Sequence, residues 1–149
     1  MIGGEPRRFP VVRVRTPLLD VWESLREVVP DEVAALLADS GATFEVDYTH
    51  GVPPVVNHES VTDVVRRAAI AELGPDAVTP AVQSWGGDDF AWFTRELPGT
   101  YVRLGVHDPA SDQPRLDLHA GRFDADERAI GVGIRLAVAT ADEFFGRGR

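Results

Sequence analysis

Cysteine is absent from this 149-residue chain, which excludes a disulfide framework and any thiolate-held metal. Lysine is absent too, so all 15 basic residues are arginine; a choice that uniform fits a GC-rich genome better than a chemical demand. Positive charge is in short supply. Against those 15 arginines stand 24 acidic residues, for a net charge of −9 and a pI near 4.8. Nucleic acid and anionic membrane both demand a basic face, so neither is expected as a partner. No apolar run approaches the roughly 18 residues of a membrane helix. The opening Met-Ile-Gly-Gly-Glu-Pro-Arg-Arg-Phe-Pro has no apolar core of signal-peptide length. A cytoplasmic protein is the expectation. Ready-made catalytic motifs are missing as well: there is no H-E-x-x-H and no G-x-S-x-G, and Ser84 and Ser111 have no evident base. Of the four histidines, His50, His58, His107 and His119, no two stand at i, i+4. A zinc site needs three or four convergent ligands, so the sequence holds no self-sufficient metal motif.

What is present reads as a globular chain, 44% hydrophobic and 26% charged, of a length that makes one ordinary domain. Gly3, Gly4, Pro6 and Pro10 argue against regular structure in the first ten residues. Val12 and Val14 alternate with Arg13 and Arg15, which predicts a strand over 9–16. A helical pattern follows over 18–38, with a break or kink expected at Pro30 and Asp31 capping the second piece. Phe44, Val46 and Tyr48 predict a strand over 42–48, after Ser40-Gly41. His50-Gly51-Val-Pro53-Pro54 is a break and a hinge. Beyond it, Val61, Val64, Val65 and Ala68 form a helical stripe ended by Gly74-Pro75. A short strand is predicted over 78–84 and another over 100–106. Between them a helix opens at Asp88-Asp89 with Phe90, Phe93 and Leu97 inward. The alternation from residue 59 onward implies a layered α/β body on a largely parallel sheet.

The chain is organised around Leu116-Asp-Leu-His-Ala-Gly-Arg-Phe-Asp-Ala-Asp-Glu-Arg-Ala129. It places His119 in a turn just before a helix, with Asp124 as cap, Glu127 as capping-box partner and Asp126 as a second first-turn anion. Ile130, Ile134, Ala137, Ala141 and Phe145 repeat at helical spacing after it. Leu118-His119-Ala-Gly-Arg-Phe123-Asp-Ala-Asp-Glu127 resembles the L-H-x-x-x-F-D-x-D-E segment of a zinc-dependent amidohydrolase family, the MH-clan metallopeptidases that include aminoacylases, hippurate hydrolases and auxin-conjugate hydrolases. Three further blocks agree in order: Val12-Val-Arg-Val-Arg-Thr16; Gly41-Ala-Thr-Phe-Glu-Val-Asp-Tyr48 with Gly51-Val-Pro-Pro-Val-Val-Asn57; and Trp85-Gly-Gly-Asp-Asp-Phe-Ala-Trp-Phe93 with Leu97-Pro-Gly-Thr-Tyr-Val-Arg-Leu-Gly105.

The resemblance implies an incomplete three-layer α/β metallohydrolase body over 53–149. Over 9–52 it implies half of a ferredoxin-like α+β lid, or dimerisation, domain. Half a sheet leaves an edge uncovered, so association through the lid strand and exposed apolar surface, as a homo-oligomer, is expected. The resemblance also makes His119 the last metal ligand, to zinc or another divalent cation. The family's other ligands and its glutamate base belong to an N-terminal half with no counterpart here. The chain is therefore expected to be the C-terminal part of an enzyme for N-acyl amino acids or related small amides, holding no metal tightly and inactive alone. The rival readings are a non-enzymatic dimerisation module and a truncated gene product without activity. Gly86, Gly87, Asp88 and Asp89 are further candidates. The glycines admit close backbone approach. The carboxylates either complement the helix dipole or orient a metal ligand, and the family carries Glu where this chain has Asp88. Arg15 either pairs a substrate carboxylate or is a solvated edge charge.

Overall fold

The computed structural model describes residues 10–146. Among them the chain forms four α-helices: α1 (Leu19–Leu37), α2 (Glu59–Leu73), α3 (Phe90–Glu96) and α4 (Arg128–Phe144), with a 3-10 turn, Pro75–Ala77, after α2. They divide into two compact units, one of residues up to 54 with 85–88, the other of 55–84 with residues from 89 onward.

The expected α/β architecture with a ferredoxin-like lid is corrected by this structure. No strand or sheet forms among the described residues. The alternating segments 42–48, 78–84 and 100–106, and the described part of 9–16, run without ladder partners. Residues 1–9, which are all but Pro10 of the opening segment expected to be irregular, lie outside the described residues. Alternation marks a segment that fits a pleated surface, but a strand exists only when a neighbour in register takes its amides and carbonyls. Here most residues of those segments are exposed, so water can serve their backbone. Tyr101 has a substitute partner. Its N–H donates to Asn57 Oδ1 at 2.8 Å and its carbonyl accepts from Asn57 Nδ2 at 3.0 Å, so one amide side chain does what a neighbouring strand would. His58 N–H to the Gly99 carbonyl (2.9 Å) and the Thr62–Thr100 hydroxyl pair (2.8 Å) hold the same turn.

In the first unit, α1 buries Trp22 and Leu25 and half-buries Val29, Val33 and Leu37, one helical stripe. The His50 ring lies against Trp22, centroids 3.7 Å apart. The break expected at Pro30 does not end the helix, which runs through it as one element; Asp31 therefore caps nothing. Pro30 removes one intrahelical donor, and the stripe continuing beyond it to Val33 and Leu37 supplies the compensating burial. Ser40 N–H closes on the Leu37 carbonyl and Gly41 takes φ +68°, ending the helix.

In the second unit, α2 and α4 pack together. Arg67 meets Glu143 at 2.7 Å and Arg135 meets Glu72 at 3.0 Å. Numbers rising along one helix while falling along the other make the pair antiparallel. α2 buries Ala68 and half-buries Val61, Val64 and Val65, the expected stripe. α4 does not. Its inward side is Ala129, Val132, Gly133, Leu136, Ala139 and Thr140, whereas Ile130 and Ile134 are 67% and 61% exposed and Phe145 68%. Arg128, Arg135 and Asp142 mark one polar stripe and leave two apolar stripes at helical spacing, of which the one carrying the small residues Ala129 and Gly133 faces inward. α3 departs in part from the expected inward set: Phe90 is half-buried, but Phe93 and Leu97 face out and Ala91 and Thr94 are buried instead.

A stability test follows for α4. A Cβ on Gly131 would meet only the Arg135 guanidinium, at an ordinary 3.8 Å. Gly131→Ala should therefore stabilise this unit by about 0.5–1 kcal/mol through lower unfolded-state entropy. Urea denaturation followed by far-UV circular dichroism measures it; a lower midpoint would mean that the helix needs the glycine.

Candidate functional site

His119 sits exposed in a turn. Asp117 builds that turn from its side chain and its carbonyl: its carboxylate accepts the His119 N–H at 2.9 Å and its carbonyl accepts the Ala120 N–H at 2.8 Å. The Phe123 N–H then donates to the Ala120 carbonyl at 2.9 Å. These bonds fix the backbone on both sides of the imidazole and leave its ring outward.

The loop carrying this turn leaves at Asp108 and returns at Asp126. At its base the Asp126 N–H donates to the Val106 carbonyl at 2.8 Å. The Arg128 guanidinium reaches both ends. Its Nη2 is 2.8 Å from Asp108 Oδ1 and 2.5 Å from Asp126 Oδ2, and its Nε lies 2.9 and 2.8 Å from the two Asp126 oxygens. Asp126 also accepts the Arg128 N–H at 3.0 Å. The capping box expected from Asp124 and Glu127 is absent. α4 begins at Arg128 with no side-chain cap from its neighbour Glu127. Asp124 instead accepts the Ala125 N–H, and Asp126 takes the helix-start role. The Ala110 N–H and then Arg128 hold the Asp108 carboxyl below its usual range, Arg128 does the same for Asp126, and both push the guanidinium pKa upward. Sequence reasoning missed this triad. Asp126 and Arg128 were visible at i, i+2, but Asp108 enters only once the loop closes.

The other candidates divide between the two units. Arg15 donates to the Trp85 carbonyl at 2.6 Å, a backbone contact that neither expected role includes. A Cβ on Gly87 would stand 2.5 Å from a Val52 methyl, so this glycine is needed for the 85–88 segment to pass Val52. Gly86 is exposed and Asp88 half-buried there. Asp89 belongs to the second unit and precedes α3, and its carboxylate makes no cap hydrogen bond.

The sequence profile of Peptidase family M20/M25/M40 matches residues 3–143. The chain belongs to this peptidase family. Its relatives include a putative glutamate–cysteine ligase 2-3 of Rhodococcus jostii, 40% identical over 85% of this chain and 16% of that protein. A putative amidohydrolase, YhaA of Bacillus subtilis, is 28% identical over 80% of this chain and 31% of its own length. An IAA-amino acid hydrolase, ILR1-like 6 of Arabidopsis thaliana, is 23% identical over 97% of this chain and 30% of its own. The chain thus spans a third or less of these relatives' lengths. No solved structure matches it.

Membership of the M20/M25/M40 peptidases makes this a chain of a metal-dependent hydrolase family. Its own donors do not make up a metal centre: among the described residues no three His, Asp or Glu side chains converge in a way that could hold an ion. His119 is exposed and belongs to no such group. No helix among the described residues is long and apolar enough to cross a membrane.

Proposed function

We propose that this chain supplies the C-terminal portion of a metal-dependent amidohydrolase for N-acyl amino acids or related small amides. His119 is one ligand of a zinc or other divalent ion whose remaining ligands come from further polypeptide, and the chain alone does not hydrolyse amides. One observation carries the reading: a backbone-fixed turn presents an exposed imidazole that belongs to no group of three or more possible ligands among the described residues, on the segment that resembles the family's last metal ligand. The share of the relatives' length agrees, and so do the names of the Bacillus and Arabidopsis proteins. Residues 53–149 are assigned to the catalytic body and 9–52 to association. The outward Ile130, Ile134 and Val138 of α4 support burial against that further polypeptide or a second copy.

A second reading, an interaction module without hydrolysis, is favoured by the Rhodococcus relative. That protein carries the matching segment as 16% of a chain named for ligation. One assay separates the two. The 149-residue chain is incubated with zinc and N-acetyl or N-benzoyl amino acids, alone and with the N-terminal two thirds of an amidohydrolase relative. No hydrolysis alone and hydrolysis on mixing supports the proposal. Complex formation without hydrolysis favours the module. Metal-dependent hydrolysis by the chain alone, lost on His119→Ala, shows a site complete without a partner.

A further inference from the structure

We infer that Arg128 is a positioning residue: by bridging Asp108 and Asp126 it locks together the two ends of the 108–126 loop and so fixes the turn that presents His119. What His119 does there rests on the function proposed above; the locking itself does not.

The argument begins with charge. Asp108 and Asp126 face one another closely enough for each other's charge to be felt, since Asp126 pushes the Asp108 carboxyl upward against the stronger lowering contacts. Without the guanidinium the base of the loop would hold two like charges. Arg128 therefore does more than add an attraction; it cancels a repulsion that would open the loop. Single exposed ion pairs are worth little because two long side chains must be held for one weak contact. This case differs in geometry. One arginine serves both carboxylates, three of its side-chain contacts go to the two Asp126 oxygens, and its own backbone N–H donates to Asp126 Oδ1. The planar fork is already shaped for two acceptors, whereas a lysine ammonium is a point charge. Asp126, a member of the lock, also donates its N–H to the Val106 carbonyl, so backbone and side chain close the loop at one place. Beyond it, the loop's internal bonds are local, from Asp108 to Ala110 and Ser111, Ser111 to Gln113, and Asp117 to His119 and Ala120. Local turns shape the loop but do not tether it.

Backbone 15N relaxation of the 149-residue chain tests this without metal. In the native chain residues 117–121 should have order parameters near the rigid value of about 0.85, and in Arg128→Ala they should fall below about 0.6. The amides of 134–144 in α4 should be unchanged. Arg128→Lys should give an intermediate value, and Arg128→Ala with Asp108→Asn should recover part of the loss because the repulsion is gone. The sign of the pH effect is fixed. Both carboxyls have lowered pKa values, so the lock is intact above the ordinary carboxylate range and opens as pH falls through the lowered values; Arg128→Ala should lack that transition. An Arg128→Ala loop as rigid as native, a fully rigid Arg128→Lys loop, or equal loosening along all of α4 would overturn the inference. Zinc retention by the complemented enzyme keeps the two readings apart. If His119→Ala leaves zinc bound while Arg128→Ala still loosens 117–121, the function proposed for His119 fails and the lock stands. If His119→Ala removes the zinc and the loop ignores Arg128, the reverse holds.

Discussion

His119→Ala in the complemented enzyme should abolish the hydrolysis of N-acyl amino acids proposed for it, by more than about 100-fold, because loss of even the groups that merely orient a metal ligand costs about 10–100-fold. Metal content should fall with activity, measured by elemental analysis after dialysis. The fold should not respond. His119 is exposed, and the bonds that shape its turn use its backbone N–H, which alanine retains. Unchanged circular dichroism with lost metal and lost turnover is the expected combination. Full activity in His119→Ala would place the ligand elsewhere. His50, His58 and His107 serve as controls. His58 is engaged with the Gly99 turn, where its Nδ1 accepts the Gly99 N–H at 3.4 Å, and His50 lies against Trp22 with its buried Nε2 unpaired. Alanine at these positions should alter stability before it alters metal content.

The second large effect is on stability. Trp22→Ala should cost the first unit about 3–5 kcal/mol, the range for removing a large buried aromatic. A unit of this size draws only about 3–5 kcal/mol from its core, so the variant should leave that unit largely unfolded. Trp22 and Leu25 are its buried large side chains on α1, and the His50 ring loses its contact along with the indole. Hydrogen exchange resolves the outcome by segment. Protection over 19–37 should vanish while amides of α2 and α4 keep theirs, since those helices pack on each other. Native-like protection of α1 in Trp22→Ala would show that the indole does not hold it.

Much of the helical content was legible without coordinates. The α2 stripe, its stop at Gly74, and the end of α1 at Ser40-Gly41 follow from local chemistry: a side chain's spacing, a glycine able to take positive φ, a proline unable to continue. These depend on residues a few positions apart, and the structure keeps them. Pro30 shows the limit of local rules. A proline normally ends a helix, yet α1 continues through it with burial on both sides.

The sequence by itself determined the family and singled out His119 on its turn, because motif order and side-chain type are properties of the chain. It also determined that this chain itself contributes no thiolate and no lysine. Only the tertiary structure decided the rest. Alternating residues over 42–48 and 100–106 became strands nowhere among the described residues, because a ladder requires a second segment in register and none lies alongside. Which side of α4 turned inward was decided by contact with α2, since the polar stripe of Arg128, Arg135 and Asp142 leaves two apolar stripes that could do so. And Asp108 joined Arg128 and Asp126 only through loop closure across twenty positions, a distance over which sequence spacing carries no geometry.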